Sequence, residues 1–597
     1  MDKPMIIINS ETLINFEQHI RISAGPGAGK TYWLVKHIQN ILHHSKRLQQ
    51  TRKVACITYT NIAVETILKR LGTNAEQVEV TTFHSFLYKH VIKPYAVFLA
   101  EEYELNIRKL DGHDDQVVHM KKVKHWLENH SEILEFRHPF TIKQLTTLDD
   151  NKVALFNWLY SWHYQLDEKK QLIIVGNRSE AYYKALNHGK EERRNLSKVC
   201  LDLLELDMLA YKMLYWKEGI IDHNDVLFFS YELIKKYPFI LKVLQAKFPY
   251  FLVDEFQDTH PIQTEILKML GTNETRIGII GDEAQSIFGF QGAKPGQFRS
   301  FLLPNIVDYV MVENRRSTNQ IIKLLNSIRQ DITQVPFRNI EGAKPTIVIG
   351  ESLKALKIAR DLSFNSVVHS LSRINVTSNS MKKEIIGDVL NKELIEELSN
   401  KDKASKSNHY RSKIIIACIK ATEYAREGNF KQAIRELECE FKDANDETKG
   451  KKEALKYVSL LLNKYDIFKD QALLHFYNII KSDIKPEISK LVRGAAKTFY
   501  EDYTYEQIAL CVNISEDTSE HRTIHKAKGD EFDNVLLILK SSRDLDMFLS
   551  SSMHDNEEHR INYVGLSRAK ERLFINVPSM EEKDYGKFEN LFIIMNV

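Results

Sequence analysis

The sequence predicts an α/β protein with two parallel-sheet domains, each carrying a mostly helical insertion. Three observations lead there. At 597 residues the chain is too long for one core. Short apolar runs bounded by polar or glycine-bearing turns recur, and most lead into an amphipathic helical pattern, as βα units do. Two long stretches between them lack that alternation and are rich in helix formers and aromatics.

The predicted strands, in order, are His19–Ser23, Val54–Thr58, Phe251–Val253, Ile277–Ile280 and Val535–Leu539. The helix-like stretches are 91–219, which includes LFNWLYSWHYQ, and 373–511, which includes the charged run KDANDETKGKKE. The expected division is therefore a first α/β domain from residues 1–90 and 220–300, interrupted by 91–219. A second α/β domain follows from residues 301–372 and 512–597, interrupted by 373–511. The aromatic run Trp158–Tyr164 is expected to be core, the usual fate of aromatic-rich helices.

Composition narrows the class. Hydrophobic residues are 43% and charged residues 27%, as in an ordinary soluble chain. With 83 basic against 80 acidic residues the net charge is +3, which neither demands nor excludes nucleic acid, since a groove needs local charge. The five cysteines (Cys56, Cys200, Cys418, Cys439, Cys511) contain no C-x-x-C pair, so neither a disulfide framework nor a zinc site is implied. The N-terminal apolar run is too short for a signal peptide, and no stretch approaches a membrane span. A reducing cytoplasm is the expected compartment.

The segment RISAGPGAGKT, Arg21–Thr31, reads as a strand, a small-residue loop and a helix start. Ala24, Gly25, Pro26, Gly27, Ala28 and Gly29 form a loop whose backbone N–H groups can converge on phosphate oxygens. Lys30 is placed to reach the outer phosphates and the Thr31 hydroxyl to ligate Mg²⁺. The strict pattern wants glycine at 24, where this chain has alanine. The helix that follows carries an apolar stripe at Leu34, Ile38 and Ile41.

Such a site needs a second half, an apolar strand ending in acid. Tyr250-Phe251-Leu252-Val253-Asp254-Glu255 supplies it. Asp254 is the expected Mg²⁺ ligand, and Glu255 the general base for an attacking water.

At this point the chain resembles superfamily 1 helicases of the UvrD, PcrA and Rep type, through seven motifs in the family's order beyond the phosphate loop. They are VACITYTNIAVETILKR from Val54, TTFHSFL from Thr81, VDEFQDTHPIQ from Val253 and IIGDEAQSIFGFQGA from Ile279. VENRRSTNQIIKLLN from Val312, TIHKAKGDEFDNVLL from Thr523 and EEHRINYVGLSRAKERL from Glu557 complete the set.

The resemblance implies two RecA-like domains with ATP hydrolysed between them, and 3′→5′ movement on single-stranded DNA. It casts Arg316 and Arg568 as arginine fingers, Gln285 as a phosphate sensor and Glu531 as a ribose contact. It implies base stacking on Tyr59, Phe288 and Phe290, with polar contacts from Thr60, Asn61, His84 and His525. Phe288 and Phe290 also admit a reading as core side chains. Three positions depart from the pattern. Arg315 stands where the family has an adenine-stacking tyrosine, and Gln291 where it often has arginine. Gln18, the available adenine contact, lies nearer the phosphate loop than usual.

The resemblance implies a DNA-stimulated ATPase, with single-stranded DNA as partner. It also allows a second reading, a sensing subunit that regulates a partner nuclease, as in Gabija-type antiphage systems. The chain ends soon after the last motif, so neither a fused nuclease nor a long partner-binding tail is expected.

Overall fold

The computed structural model describes residues 5–130, 145, 149–187, 190–289, 292–294, 296–385, 393–402, 406–438, 440–441, 449–514 and 519–597. They fall into two compact units, Met1–Glu313 and Asn314–Val597.

The first unit opens with β1 (Ile6–Ile8), β2 (Ile20–Ala24), β3 (Val54–Thr58) and β4 (Val78–Thr82). Two antiparallel hairpins follow, β5 (His163–Leu166) with β6 (Leu172–Val175), and β7 (Tyr182–Asn187) with β8 (Lys190–Asn195). Then come β9 (Tyr250–Val253), β10 (Arg276–Gly281) and β11 (Val307–Met311). Seven strands make one parallel sheet in the order β1-β11-β2-β10-β9-β3-β4.

Every residue of β3 and β9 is buried, as expected for parallel strands covered on both faces. Along β9 the side chains alternate between two cores. Tyr250 and Leu252 join a cluster with Leu34, Ile38 and Cys56, while Phe251 and Val253 join one with Phe86, Val226 and Ile279. The helix Lys30–His44 buries Leu34, Ile38 and Ile41 completely, which is the stripe read from the sequence.

Two findings revise the sequence reading. VDYVM (β11) completes the first sheet between β1 and β2, so the first unit ends at Glu313 rather than at 300. The stretch 91–219 contains the hairpins β5–β6 and β7–β8 beside its helices. Its helical part has its own core, built on Trp126, Trp158, Trp162 and Tyr211, so within the aromatic run Trp158 and Trp162 are packing, Tyr164 is buried beside Phe228, and Tyr160 is exposed. One buried ion cluster ties that part to the sheet domain. Lys212 Nζ lies 2.5 Å from Asp222 Oδ2 and 2.8 Å from Asp225 Oδ1, and Tyr164 Oη donates to Asp225 Oδ1 (2.9 Å).

In the second unit a short pairing joins β12 (Glu313–Asn314) to β13 (Val335–Pro336). The strands β14 (Thr346–Ile349), β15 (Val368–Ser372), β16 (His521–Thr523), β17 (Phe532–Ile538), β18 (Ala569–Val577) and β19 (Ile593–Asn596) form a six-stranded parallel sheet. Its order is β16-β15-β17-β18-β14-β19. Between β15 and β16 runs a helical stretch with a separate core that includes Leu398, Ile415, Phe476 and Tyr505. Among the described residues no helix is long and apolar enough to cross a membrane. Cys56, Cys200, Cys418 and Cys511 are free thiols.

Candidate active site

In the first unit the predicted site residues sit at the carboxyl ends of parallel strands, the edge where open α/β sheets present their loops to ligands. The loop 25–29 follows β2, Tyr59 to Asn61 follow β3, His84 follows β4, Asp254 and Glu255 follow β9, and Asp282 to Phe288 follow β10. Ala24 is the last residue of β2, fully buried and paired with Met311, so it belongs to the strand and the loop proper begins at Gly25. Gln18 is half-buried in the turn before β2.

The loop turns through two left-handed residues, Gly27 (φ 71°) and Gly29 (φ 82°), a conformation that favours glycine. Gly29 caps the helix Lys30–His44 and offers no side chain to the first N–H groups. An uncapped helix start facing a small-residue loop suits an anion. Thr31 is the second residue of that helix. Lys30 Nζ lies 3.6 Å from Glu255 Oε1.

Asp254 is 6% exposed, and its N–H donates to Ile57 O (2.8 Å), which fixes the end of β9. Glu255 has φ 51°, a left-handed conformation that is unfavourable for a side chain with a Cβ. Its N–H donates to Asp254 Oδ1 (3.0 Å), and its carboxylate accepts from Gln257 Nε2. Gln257 Oε1 in turn accepts the Asp282 N–H (2.9 Å). Asp282 accepts from the Gln285 amide, so Gln285, 2% exposed, is held inside its own loop.

Beyond that loop, Phe288 is 8% exposed and stacks on Tyr59, with ring centroids 4.5 Å apart and planes at 30°. Tyr59 is half-buried, while Phe288 backs it from the core side. Burial first and the Asp258 carboxylate second push the Tyr59 hydroxyl well above the ordinary phenol range, so it stays neutral. Thr60 caps the helix Asn61–Leu71 by accepting from Ala63 N–H (3.2 Å), and Thr60 and Asn61 are exposed. His84 packs against His113 and His223, with centroids at 6.2 and 5.5 Å. Burial, then His223 and His113, lowers its pKa to about 3. Phe290 and Gln291 lie outside the described residues.

In the second unit, Arg316, Glu531 and Arg568 gather at the amino ends of β17 and β18. Arg316 Nε donates to Glu531 Oε2 (2.9 Å) and its Nη1 to Ser567 O (2.7 Å). Lys570 Nζ lies 3.3 Å from Glu531. Burial opposes ionisation of Glu531, but Arg316 and Lys570 outweigh it and hold the carboxyl below the usual range. Arg568 is 3% exposed. It donates to Val564 O (3.1 Å), Asp530 O (3.2 Å) and Ser567 Oγ (2.9 Å). Arg315 lays its guanidinium over the Phe337 ring, 3.9 Å from the centroid. Phe337 is 53% exposed and is placed there by its N–H bond to Asn314 O (3.0 Å). His525 is half-buried in the turn after β16.

Two family profiles cover nearly all of the sequence. Residues 8–303 match the UvrD/REP helicase N-terminal domain, and residues 305–579 match the UvrD-like helicase C-terminal domain. The chain belongs to the UvrD/Rep helicase family. It is 28% identical over 364 residues to Gabija protein GajB of Bacillus cereus (strain HuB5-5), covering 57% of this chain and 51% of that protein. It is 25% identical over 367 residues to ATP-dependent DNA helicase Rep of Buchnera aphidicola subsp. Schizaphis graminum, covering 59% and 48%. A probable DNA helicase II homolog of Rickettsia conorii (strain ATCC VR-613 / Malish 7) is 24% identical over 654 residues, covering 95% and 91%. The matches to GajB and Rep thus span about half the length of those relatives.

In this UvrD/Rep-family chain the structure pairs Lys30 with Glu255 and Arg316 with Glu531, residues to which the sequence reading gave separate roles. It missed Gln257, Asp282 and Phe337. Gln257 had a signal, an amide two residues past Glu255 in an otherwise acidic and apolar run. Asp282, opening the loop after an apolar strand, had one of the same kind. Phe337 had none, because the β12–β13 pairing that brings it to Arg315 is two residues long.

Proposed function

We propose that this chain is an ATP-dependent DNA helicase that hydrolyses ATP and moves 3′→5′ on single-stranded DNA. The observation that supports it most is the gathering of five motif segments at one edge of the first sheet. Phosphate-binding and aromatic groups there share neighbouring loops.

Lys30 and the N–H groups of loop 25–29 bind the outer phosphates. Glu255 accepts the proton of the attacking water as its oxygen bonds to the γ-phosphorus and the bond to the bridging oxygen breaks. Thr31 and Asp254 present a hydroxyl and a buried carboxylate, as few protein ligands as Mg²⁺ ordinarily takes beside phosphate oxygens. Held there, Mg²⁺ would supply neutralisation of phosphate charge. Arg316 and Arg568 stabilise the charge that grows in the transition state, Gln285 senses the phosphate, and Glu531 contacts the ribose and holds Arg316. Gln18 and Arg315 are the adenine contacts, Arg315 with its plane set by Phe337. DNA bases stack on Tyr59, backed by Phe288, while Thr60, Asn61, His84 and His525 serve the backbone.

Duplexes with a single-stranded tail test the direction. A 3′-tailed duplex is expected to be unwound with ATP and a 5′-tailed one left intact; the reverse, or no unwinding of either, contradicts the proposal.

The likeness to Gabija protein GajB favours a second reading, an NTPase subunit that senses DNA or nucleotide and regulates a partner nuclease in antiphage defence. Under it, ATP hydrolysis responds to DNA while neither tailed duplex is opened.

A further inference from the structure

Gln257 stands between the two halves of the first unit's chemistry. Its side chain is 1% exposed, so its amide must be satisfied inside the protein. Nε2 donates to the Glu255 carboxylate. Oε1 accepts the Asp282 N–H at 2.9 Å. Its backbone carbonyl accepts the Ser286 hydroxyl at 3.1 Å. One residue therefore holds the carboxylate beside Lys30 and both ends of the loop 282–286, which runs on to Phe288 and its stack on Tyr59.

The residue type matters. A primary amide donates and accepts from one planar group; a carboxylate would lose the donor and repel Glu255, and an aliphatic chain would lose both bonds. The backbone opposite is fitted to this amide. A Cβ on Gly281 would come 2.6 Å from Gln257 Oε1, so a side chain there would push the amide off the Asp282 N–H. Asp282 passes the constraint on, accepting the Ala284 N–H (3.2 Å) and the Gln285 amide. The chain Lys30, Glu255, Gln257, Asp282, Gln285 is continuous, and its members are buried or half-buried.

We propose that Gln257 is a positioning residue that couples nucleotide state to the DNA-stacking pair. The proposal rests on the helicase reading given above. A phosphate that draws Lys30 away changes the charge facing Glu255. Gln257 transmits the resulting shift to the Asp282 backbone, and the loop carries it to Phe288 and Tyr59. Coupling of two binding sites is reciprocal, so nucleotide should alter DNA affinity as DNA alters nucleotide affinity.

Two variants of the full chain test this. Gln257→Met keeps the length and apolar packing of the side chain but neither bond. Gly281→Ala leaves Gln257 in place and displaces its amide. Each is compared with wild type for ATP turnover with and without oligo-dT, and for oligo-dT affinity with and without a non-hydrolysable ATP analogue. In both variants the ratio of DNA affinities with and without analogue is expected to fall to roughly one, the value for uncoupled sites. The ratio of DNA-stimulated to basal turnover should fall with it. Retention of the wild-type affinity ratio by Gln257→Met overturns the inference, and Gly281→Ala decides alone if Gln257→Met does not fold. A wild-type protein whose ATPase ignores DNA overturns the helicase reading itself, an outcome read before any variant is made.

Discussion

Lys30 Nζ and Glu255 Oε1 are 3.6 Å apart, joining the first residue of the helix after the glycine-rich loop to the second residue after β9. The pair keeps a cation and a carboxylate at the same strand edge until a phosphate competes for the lysine. Under the proposed function Lys30 serves phosphate rather than the core, so Lys30→Ala is expected to abolish ATP turnover without unfolding the chain. Wild-type turnover with an unchanged thermal melt would contradict it.

Arg315 and Arg316 are neighbours with different partners, a ring and a carboxylate. Arg315→Ala should raise KM for ATP with little change in kcat, as loss of ground-state binding does. Phe337→Ala should shift KM in the same direction by freeing the guanidinium plane. Arg316→Ala should lower kcat by roughly 10³-fold or more, the scale of an arginine that meets transition-state charge. Steady-state kinetics of the three variants separates the roles, and an unchanged KM in Arg315→Ala removes that residue from the adenine site.

Acid should destabilise the first unit. Burial, with help from Arg276 at His19 and from His163 and Lys294 at His260, lowers both histidines to about 4. His37 is also at about 4 through burial, and His84 at about 3. His19 Nδ1 accepts the Ile277 N–H (3.0 Å) and His260 Nδ1 the Ile262 N–H (3.2 Å), bonds that protonation removes. Because these pKa values lie below the ordinary 6.5, the unfolded chain binds more protons as pH falls from 6.5 toward 4. Stability is full above that window and declines through it. Tm measured from pH 7.5 to pH 5 should fall, and a flat profile would contradict the burial of these neutral rings.

Lys212 carries the second stability prediction. Burial disfavours its charge, but Asp222 and Asp225 more than restore it and hold its pKa above the ordinary lysine range. Lys212→Met leaves two carboxylates buried without their cation and should cost about 3–5 kcal/mol. Urea unfolding measures it; a loss well under 1 kcal/mol would mean that the carboxylates are solvated or protonated at little cost.

The fold was legible where a strand holds an apolar run, as in β3, β9 and β10, which are buried along all or nearly all of their length and need no alternation, in the stretch Val535–Ile538 of β17, and in β2, whose isoleucines alternate with half-buried residues. β11 escaped because Asp308 interrupts VDYVM, and the hairpins β5–β6 and β7–β8 because their polar residues read as helix formers. Site residues were legible where chemistry demands a spacing, as in Gly27-Ala28-Gly29-Lys30-Thr31 or Asp254-Glu255. Roles set by long-range contacts were not, as with Gln257 against Asp282, Arg315 against Phe337, and Phe288 turned inward behind Tyr59.

In the proposed mechanism this site hydrolyses ATP in response to single-stranded DNA. This is tested most directly by ATP turnover with and without oligo-dT, in wild type and Glu255→Gln. DNA should raise the wild-type rate, and Glu255→Gln should bind ATP with DNA present yet not turn it over. A wild-type rate indifferent to DNA, or a Glu255→Gln rate equal to wild type, would contradict the mechanism.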